Sequence, residues 1–195
     1  HIIRLKHEDM NMDNFGVGDS FPEMLLINAH NGLGGYTLQG GIFRMICSNG
    51  MVISEEDFGK IHIRHIGFEA QQVQEASREL ITNSSRIADK IGSWQNTEMS
   101  ERSRKDFFAD AAKLRWENPD DGLILDVATP RREADKGNDL WRTFNVAQEN
   151  LLRGGFRNGS TRRMVRPISN IQKDVNLNQQ LWELASTYSE GISLN

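Results

Sequence analysis

Between Met24 and Ile63 the apolar positions come in short runs separated by turn residues. Three such runs follow one another, and Ile42 to Ser48 and Met51 to Ile53 flank Asn49-Gly50 directly. Asn31-Gly32 and Asn49-Gly50 lie between them, and Asn-Gly takes up the positive φ angles of a tight hairpin turn at little steric cost. A further turn around Glu55 to Gly59 leads into Lys60 to His65, where Ile61 and Ile63 alternate with polar neighbours. The pattern predicts an antiparallel meander of three or four strands over residues 24–66. Ile2 to Leu5 reads as a candidate edge strand, followed by a polar loop with Gly16, Gly18 and Pro22. Gly40-Gly41 interrupts the central run, which predicts a bulge, a bend or the close approach of another backbone.

At Gly67 the period changes from two to 3.6. Val73, Ala76, Leu80, Ile87 and Ile91 make one apolar stripe of a helix from Phe68 to about Ile91. Gln72, Glu75, Glu79, Arg86 and Lys90 occupy its other face, so this helix is expected to cover the sheet. Ser100 to Trp116 reads as a second helix, with Ser100 and Ser103 as cap candidates and Phe107, Phe108, Ala111 and Leu114 on its apolar side. Asn118 to Gly122 is a turn, and residues 123–129 are short and apolar. A third helix is predicted over Asp139 to Leu152. It buries Leu140, Trp141, Phe144, Leu151 and Leu152 and stops at Gly154-Gly155. The last, Asn178 to Tyr188, turns Leu181, Trp182 and Leu184 inward. The expected fold class is α+β: an antiparallel β-meander packed against a long helix, followed by a mainly helical C-terminal half. The expected organisation is a single domain over 1–195, with the meander and long helix at 24–92 and the helical half at 99–195.

A chain of 195 residues with 37% hydrophobic and 26% charged positions can bury a sizeable core without metal or disulfide support. Its one cysteine, Cys47, excludes an internal disulfide and fits a reducing compartment. No apolar run approaches 18 residues and no signal-peptide pattern opens the chain, so a cytoplasmic protein with no membrane partner is expected. The chain starts at His1 rather than Met, and residues are expected to precede it.

The net charge of −4 hides one local segregation. Residues 150–173 hold Arg153, Arg157, Arg162, Arg163, Arg166 and Lys173 and no acid. Five of the six are Arg, whose planar fork suits bidentate contacts to phosphate. Gly154, Gly155, Gly159 and Ser160 give the segment room to follow a backbone, and Phe156 offers a stacking face. Lys60, His62, Arg64 and His65 form a second basic group. The plainer reading is a solvated basic loop that pairs with acidic helix faces.

Catalytic signals are weaker. His62 and His65 fall on opposite faces of a strand and need a bulge to share a metal. His30, near Asn28 and Asn31, could act as a general base, but spacing identifies no partner, and a hydrogen-bonded turn residue is the simpler account. Cys47 reads as a small buried hydrophobe rather than a catalytic thiolate. Glu55-Glu56-Asp57 and Asp120-Asp121 are short acidic runs that could hold Mg²⁺ or simply face water. There is no Walker loop and no dinucleotide-binding glycine motif. No catalytic residue, metal or cofactor is expected.

The ordered series Asn28-Ala-His30-Asn31-Gly32, Tyr36-Thr37-Leu38, and Gly41-Ile-Phe-Arg44-Met-Ile-Cys47-Ser48-Asn49-Gly50 resembles the phage/plasmid-like family classed as domain of unknown function 932. Asn138 to Val146, Gln148-Glu149-Asn150, and Asn178-x-x-Leu181-Trp182-x-Leu184-Ala185 continue the resemblance, which covers roughly residues 23–188. Ala29 and Asn31 depart from it, since Ser and Asp are usual there. The resemblance implies an origin in a prophage, phage or plasmid and supplies no activity. In outline, a meander followed by a long helix looks like the core of Rad52-type single-strand annealing proteins, which hold single-stranded DNA in a basic groove, often as rings.

The leading expectation is a non-enzymatic protein of a mobile element that binds nucleic acid, single-stranded DNA above all, in annealing or recombination, with self-association into a homo-oligomer. Arg153, Arg157, Arg162, Arg163, Arg166 and Lys173 would hold the strand, with Phe156 as a stacking face and Lys60 and Arg64 extending the track. One alternative is a protein-binding module or inhibitor of a host defence system. The other is a metal-dependent enzyme using His30 or His62.

Overall fold

A computed structural model describes residues 2–6, 20–28, 36–44, 49–52, 60–63, 70–158 and 161–193. In the strands it describes the backbone and the side chain of Glu23, and over residues 70–86 only part of the side chains. The chain divides into two compact units, residues 1–92 and 93–195.

Among the described residues of the first unit five extended segments pair: β1 (Ile2–Lys6), β2 (Ser20–Asn28), β3 (Tyr36–Arg44), β4 (Asn49–Val52) and β5 (Lys60–Ile63). Every pairing is antiparallel. β3 is the shared strand. One of its edges pairs with β2 throughout, from Tyr36 opposite Asn28 to Arg44 opposite Ser20. The other edge is divided between two partners. Residues 36–39 face β5 and residues 41–44 face β4. Gly40 and Gly41 sit where the partner changes. Their register with Met24 and Glu23 is unbroken, so of the readings offered for this pair the bulge is set aside. Asn49 and Gly50 pair with Arg44 and Phe43 inside the ladder, so this Asn-Gly is strand and not turn. Asn31-Gly32 lies outside the described residues.

The expected fold class, an α+β meander packed against a long helix, is corrected on these findings. The described part of the chain is mainly helical. Among the described residues from 70 onward regular structure is helical, and extended backbone meets only at two isolated bridges, Glu98 with Asp139 and Arg157 with Met164. Connectivity also departs from a meander, because β5 returns to β3 instead of following β4. Among the described residues the strands' extensive contacts are with one another, and none of comparable extent joins them to the following helix. The physical reason is that alternation specifies a pleated strand but not its partner. Pairing and packing are decided by long-range contacts that local period does not encode.

The 3.6 period after Gly67 becomes α1 (Ala70–Asn96). Ile87, Ala88 and Ile91 are buried on it, while Glu75 and Arg86 are exposed. No helix among the described residues is long and apolar enough to cross a membrane.

The helices of the second unit start where short polar side chains cap them. Ser100 Oγ accepts from the Ser103 N–H at 3.1 Å and opens α2 (Glu101–Lys113). Asp120, expected in a turn, accepts from Leu123 at 2.8 Å and opens α3 (Asp121–Ala128). Asp139 accepts from Arg142 at 2.9 Å and opens α4 (Leu140–Arg153), which ends at Gly154. Each cap satisfies an N–H that the first turn leaves without an intrahelical partner. The last helix, α5, runs Ile171–Ser193, well beyond the expected 178–188. Asn170 caps it, accepting from the Lys173 N–H at 3.0 Å. Its first turn is exposed, Ile171 included, and Val175 is the first apolar residue buried on it.

An aromatic cluster centres this unit. The Trp94 ring lies 4.4 Å from that of Trp182 and 5.7 Å from that of Phe144. Trp141 stacks on Phe144 at 5.8 Å. Trp141, Phe144 and Trp182 are all buried, as their helical stripes predict. Leu184, expected inside, is half-buried.

Candidate nucleic-acid interface

α4 ends on two glycines with positive φ, Gly154 at 57° and Gly155 at 83°. The Gly154 α-carbon lies so close to the Val165 backbone that any side chain there would collide with it. The glycines therefore bring the following segment back onto the helix end. Residues 155–158 and 161–165 form the two arms of a short ribbon. Gly155 N–H donates to Val165 O and Val165 N–H to Phe156 O, both at 2.8 Å, and Asn158 N–H donates to Arg163 O at 2.9 Å. Near the tip the Asn158 carboxamide oxygen accepts from the Thr161 N–H and hydroxyl. Arg162 there has φ 52°, a left-handed conformation.

The ribbon's side chains differ in burial. Val165 is buried and Phe156 half-buried, with the Phe156 ring 6.4 Å from that of Trp116. Arg157 and Met164, paired across the ribbon, are exposed, as are Arg162, Arg163 and Arg166. Arg157 Nη1 donates to Arg162 O at 3.2 Å. Among the described residues none of these four guanidinium groups pairs with a carboxylate. The structure thus brings Arg157, Arg162 and Arg163 together on one ribbon, with Arg166 on the strand leaving it. Arg153 is half-buried in the last turn of α4, and Lys173 is exposed in the first turn of α5. Lys60 lies on β5 opposite Gln39. Arg64, His30, Cys47 and His65 lie outside the described residues. His62 pairs with Thr37 through β5. Among the described residues no three of His, Cys, Asp and Glu come together in a way that could hold a metal ion.

Two arginines outside the basic segment position it. Arg115 donates from Nη1 to Leu151 O, at the end of α4, and from Nη2 to Arg166 O at 2.6 Å. Arg131 donates to Gly154 O. Both cations meet carbonyls at or beyond the negative pole of α4, where intrahelical donors run out. Arg115 also lies over the Trp116 ring, 5.0 Å from its centroid. Burial pulls its guanidinium below the ordinary range. Neither residue shows in the sequence, because their partners are 23 to 51 positions away. The only local hint for Arg115 is its place beside Trp116 at the end of a helix.

The polar residues of α4 that carried the resemblance are structural. Glu149, with a side chain 6% exposed, takes a two-pronged contact from Arg132 at 2.7 and 3.0 Å. Asn150 donates to Val127 O and Thr129 O, both at 2.9 Å, tying off the end of α3. Gln148 donates to Asn178 on α5.

These motifs sit in a unit that a wider family shares. The chain belongs to the family described as Domain of unknown function (DUF932), whose model matches residues 3–182. It is similar to UPF0380 protein YfjQ of Escherichia coli (strain K12), 32% identical over 191 residues, which cover 96% of this chain and 68% of that protein. It is also similar to UPF0380 protein YafZ of the same organism, 32% identical over 189 residues, covering 95% and 67%. No solved structure matches the chain.

Proposed function

We propose that this chain binds nucleic acid, single-stranded DNA in particular, through the arginines of the ribbon, Arg157, Arg162 and Arg163, and Arg166 beyond it. One observation carries the reading: Arg157, Arg162, Arg163 and Arg166 are exposed together in a segment without acids, and none is in an ion pair among the described residues. Guanidinium groups keep their charge at every usable pH and fit phosphate oxygens in pairs. The anchors Arg115 and Arg131 hold the ribbon's backbone, so its cations are presented by a supported element. Phe156 uses part of its surface against Trp116, which leaves it a smaller share in stacking than the arginines have in charge contacts. The setting that goes with this reading, annealing or recombination on a phage or plasmid by a self-associating protein, rests on the resemblance described above.

A mobility-shift titration with a labelled single strand tests the proposal. Wild type should bind near 50 mM salt, and the Arg162→Ala/Arg163→Ala protein should bind more weakly to every sequence. No binding by demonstrably folded wild type would end the nucleic-acid reading in favour of a protein-binding module.

A further inference from the structure

Beside the strand that leaves the ribbon lies a cleft of about 480 Å³, within the range of roughly 300–1,000 Å³ typical of small-molecule sites. Its walls are the end of α2, the linker at Ile168 to Asn170, and the first three turns of α5. Among the described residues no acidic side chain lines it.

Two cations do. Arg115 is held in place by Leu151 O and Arg166 O, and carbonyl partners orient a guanidinium without neutralising it. Lys173 is exposed, and its ammonium has no partner among the described residues. Three carboxamides share the cleft. Asn170 Oδ1 accepts from the Lys173 N–H and Asn176 Oδ1 from Gln172 at 2.8 Å, so both are committed as acceptors and keep N–H donors. Gln180 has no partner among the described residues. A carboxamide offers a donor and an acceptor side by side, the pattern that reads base edges. Ile168 and Leu177 add apolar surface on which a flat ring can lie. The pole of α5 is already capped by Asn170, so the case stands on these side chains and not on the helix end.

We propose that this cleft holds one nucleotide unit, with its phosphate between Arg115 and Lys173 and its base among Asn170, Asn176 and Gln180. The unit is either part of the strand bound by the ribbon, in which case the inference rests on that reading, or a free nucleoside monophosphate.

Calorimetric titration of the full chain with deoxyadenosine monophosphate, run beside anisotropy with a labelled single-stranded oligonucleotide, tests it. The mononucleotide should bind more tightly than inorganic phosphate. Lys173→Ala, an exposed change that spares the core, should weaken mononucleotide binding about tenfold through loss of a charge-assisted contact. Arg157→Ala/Arg163→Ala should leave mononucleotide binding unchanged while weakening the oligonucleotide. Lys173-dependent mononucleotide binding without oligonucleotide binding would support the cleft as a free-nucleotide site and remove the ribbon reading. Oligonucleotide binding with no mononucleotide binding, or with equal mononucleotide affinity in the Lys173 variant, would overturn the cleft and leave the ribbon reading standing. Absence of both in folded protein would overturn both.

Discussion

Gln148 on α4 donates from Nε2 to the Oδ1 of Asn178 on α5 at 2.8 Å, and both side chains are buried. Asn178 in turn donates to the Asp174 carboxylate at 2.7 Å. The two helices are thus joined by a polar chain that only the correct register can complete. Truncating Gln148 to Ala leaves a buried acceptor without its donor. Such a loss costs about 1–3 kcal/mol, so the denaturant midpoint should fall with little change in slope. A midpoint equal to wild type would show that the bond is dispensable.

Trp94 joins rings from α4 and α5 and is 1% exposed. Trp94→Ala or Trp182→Ala should cost about 3–5 kcal/mol, as large aromatic deletions in cores do. Near-ultraviolet circular dichroism should lose much of its aromatic signal in either variant. An unchanged melting temperature for both would refute the cluster.

The Arg132–Glu149 pair separates charge effects from packing. Arg132→Met leaves the Glu149 carboxylate buried without its cation, which costs about 3–5 kcal/mol. Adding Glu149→Met to the first change should restore much of the loss, because an apolar pair of similar volume fills the site. A double variant no better than the single would assign the effect to shape and not to charge.

Asp110 and Tyr188 are linked across α2 and α5 at 2.9 Å. Burial works against the Asp110 carboxylate, but the Lys113 ammonium and the Tyr188 hydroxyl outweigh it and hold its pKa below the ordinary value. Its contribution to stability is therefore present above about pH 4 and is lost as pH falls through the lowered folded value. Tyr188 is pushed upward, first by burial and then by its bond to Asp110. Its contribution is full below about pH 10 and is lost as pH rises from there through the raised folded value. Unfolding midpoints measured against pH should show both flanks, and Tyr188→Phe should remove the alkaline one. An alkaline flank of equal size in that variant would assign it to another group.

The arginine ribbon makes a quantitative prediction for DNA. Four phosphate contacts, each contributing a slope of roughly −0.7 for a single strand, give a log–log salt dependence near −3. Arg162→Ala/Arg163→Ala should reduce that slope by about one to one and a half units. Binding that is indifferent to salt would show that the arginines are not the contact.

The parts of this protein that its sequence determines are those whose signal is local. Apolar stripes marked four of the helices, the last of them short at both ends. Ser100 and the Asp139 region marked helix starts, Gly154-Gly155 marked a stop, and Trp141, Phe144 and Trp182 declared themselves core by position on a stripe. Trp94 follows Ile91 by three residues, so its place was within reach of the same period once the helix extends past Ile91. The charge segregation at 150–173 was also legible, because a count of residues suffices to see it. Tertiary structure alone decided that β5 pairs with β3, that helices dominate the described residues, and that α5 begins at Ile171, whose side chain stays exposed and so marks no buried stripe. It also decided the work of Arg115, whose acceptors lie 36 and 51 residues away. A hydrogen bond across that separation depends on how whole elements pack, and local pattern carries no record of it.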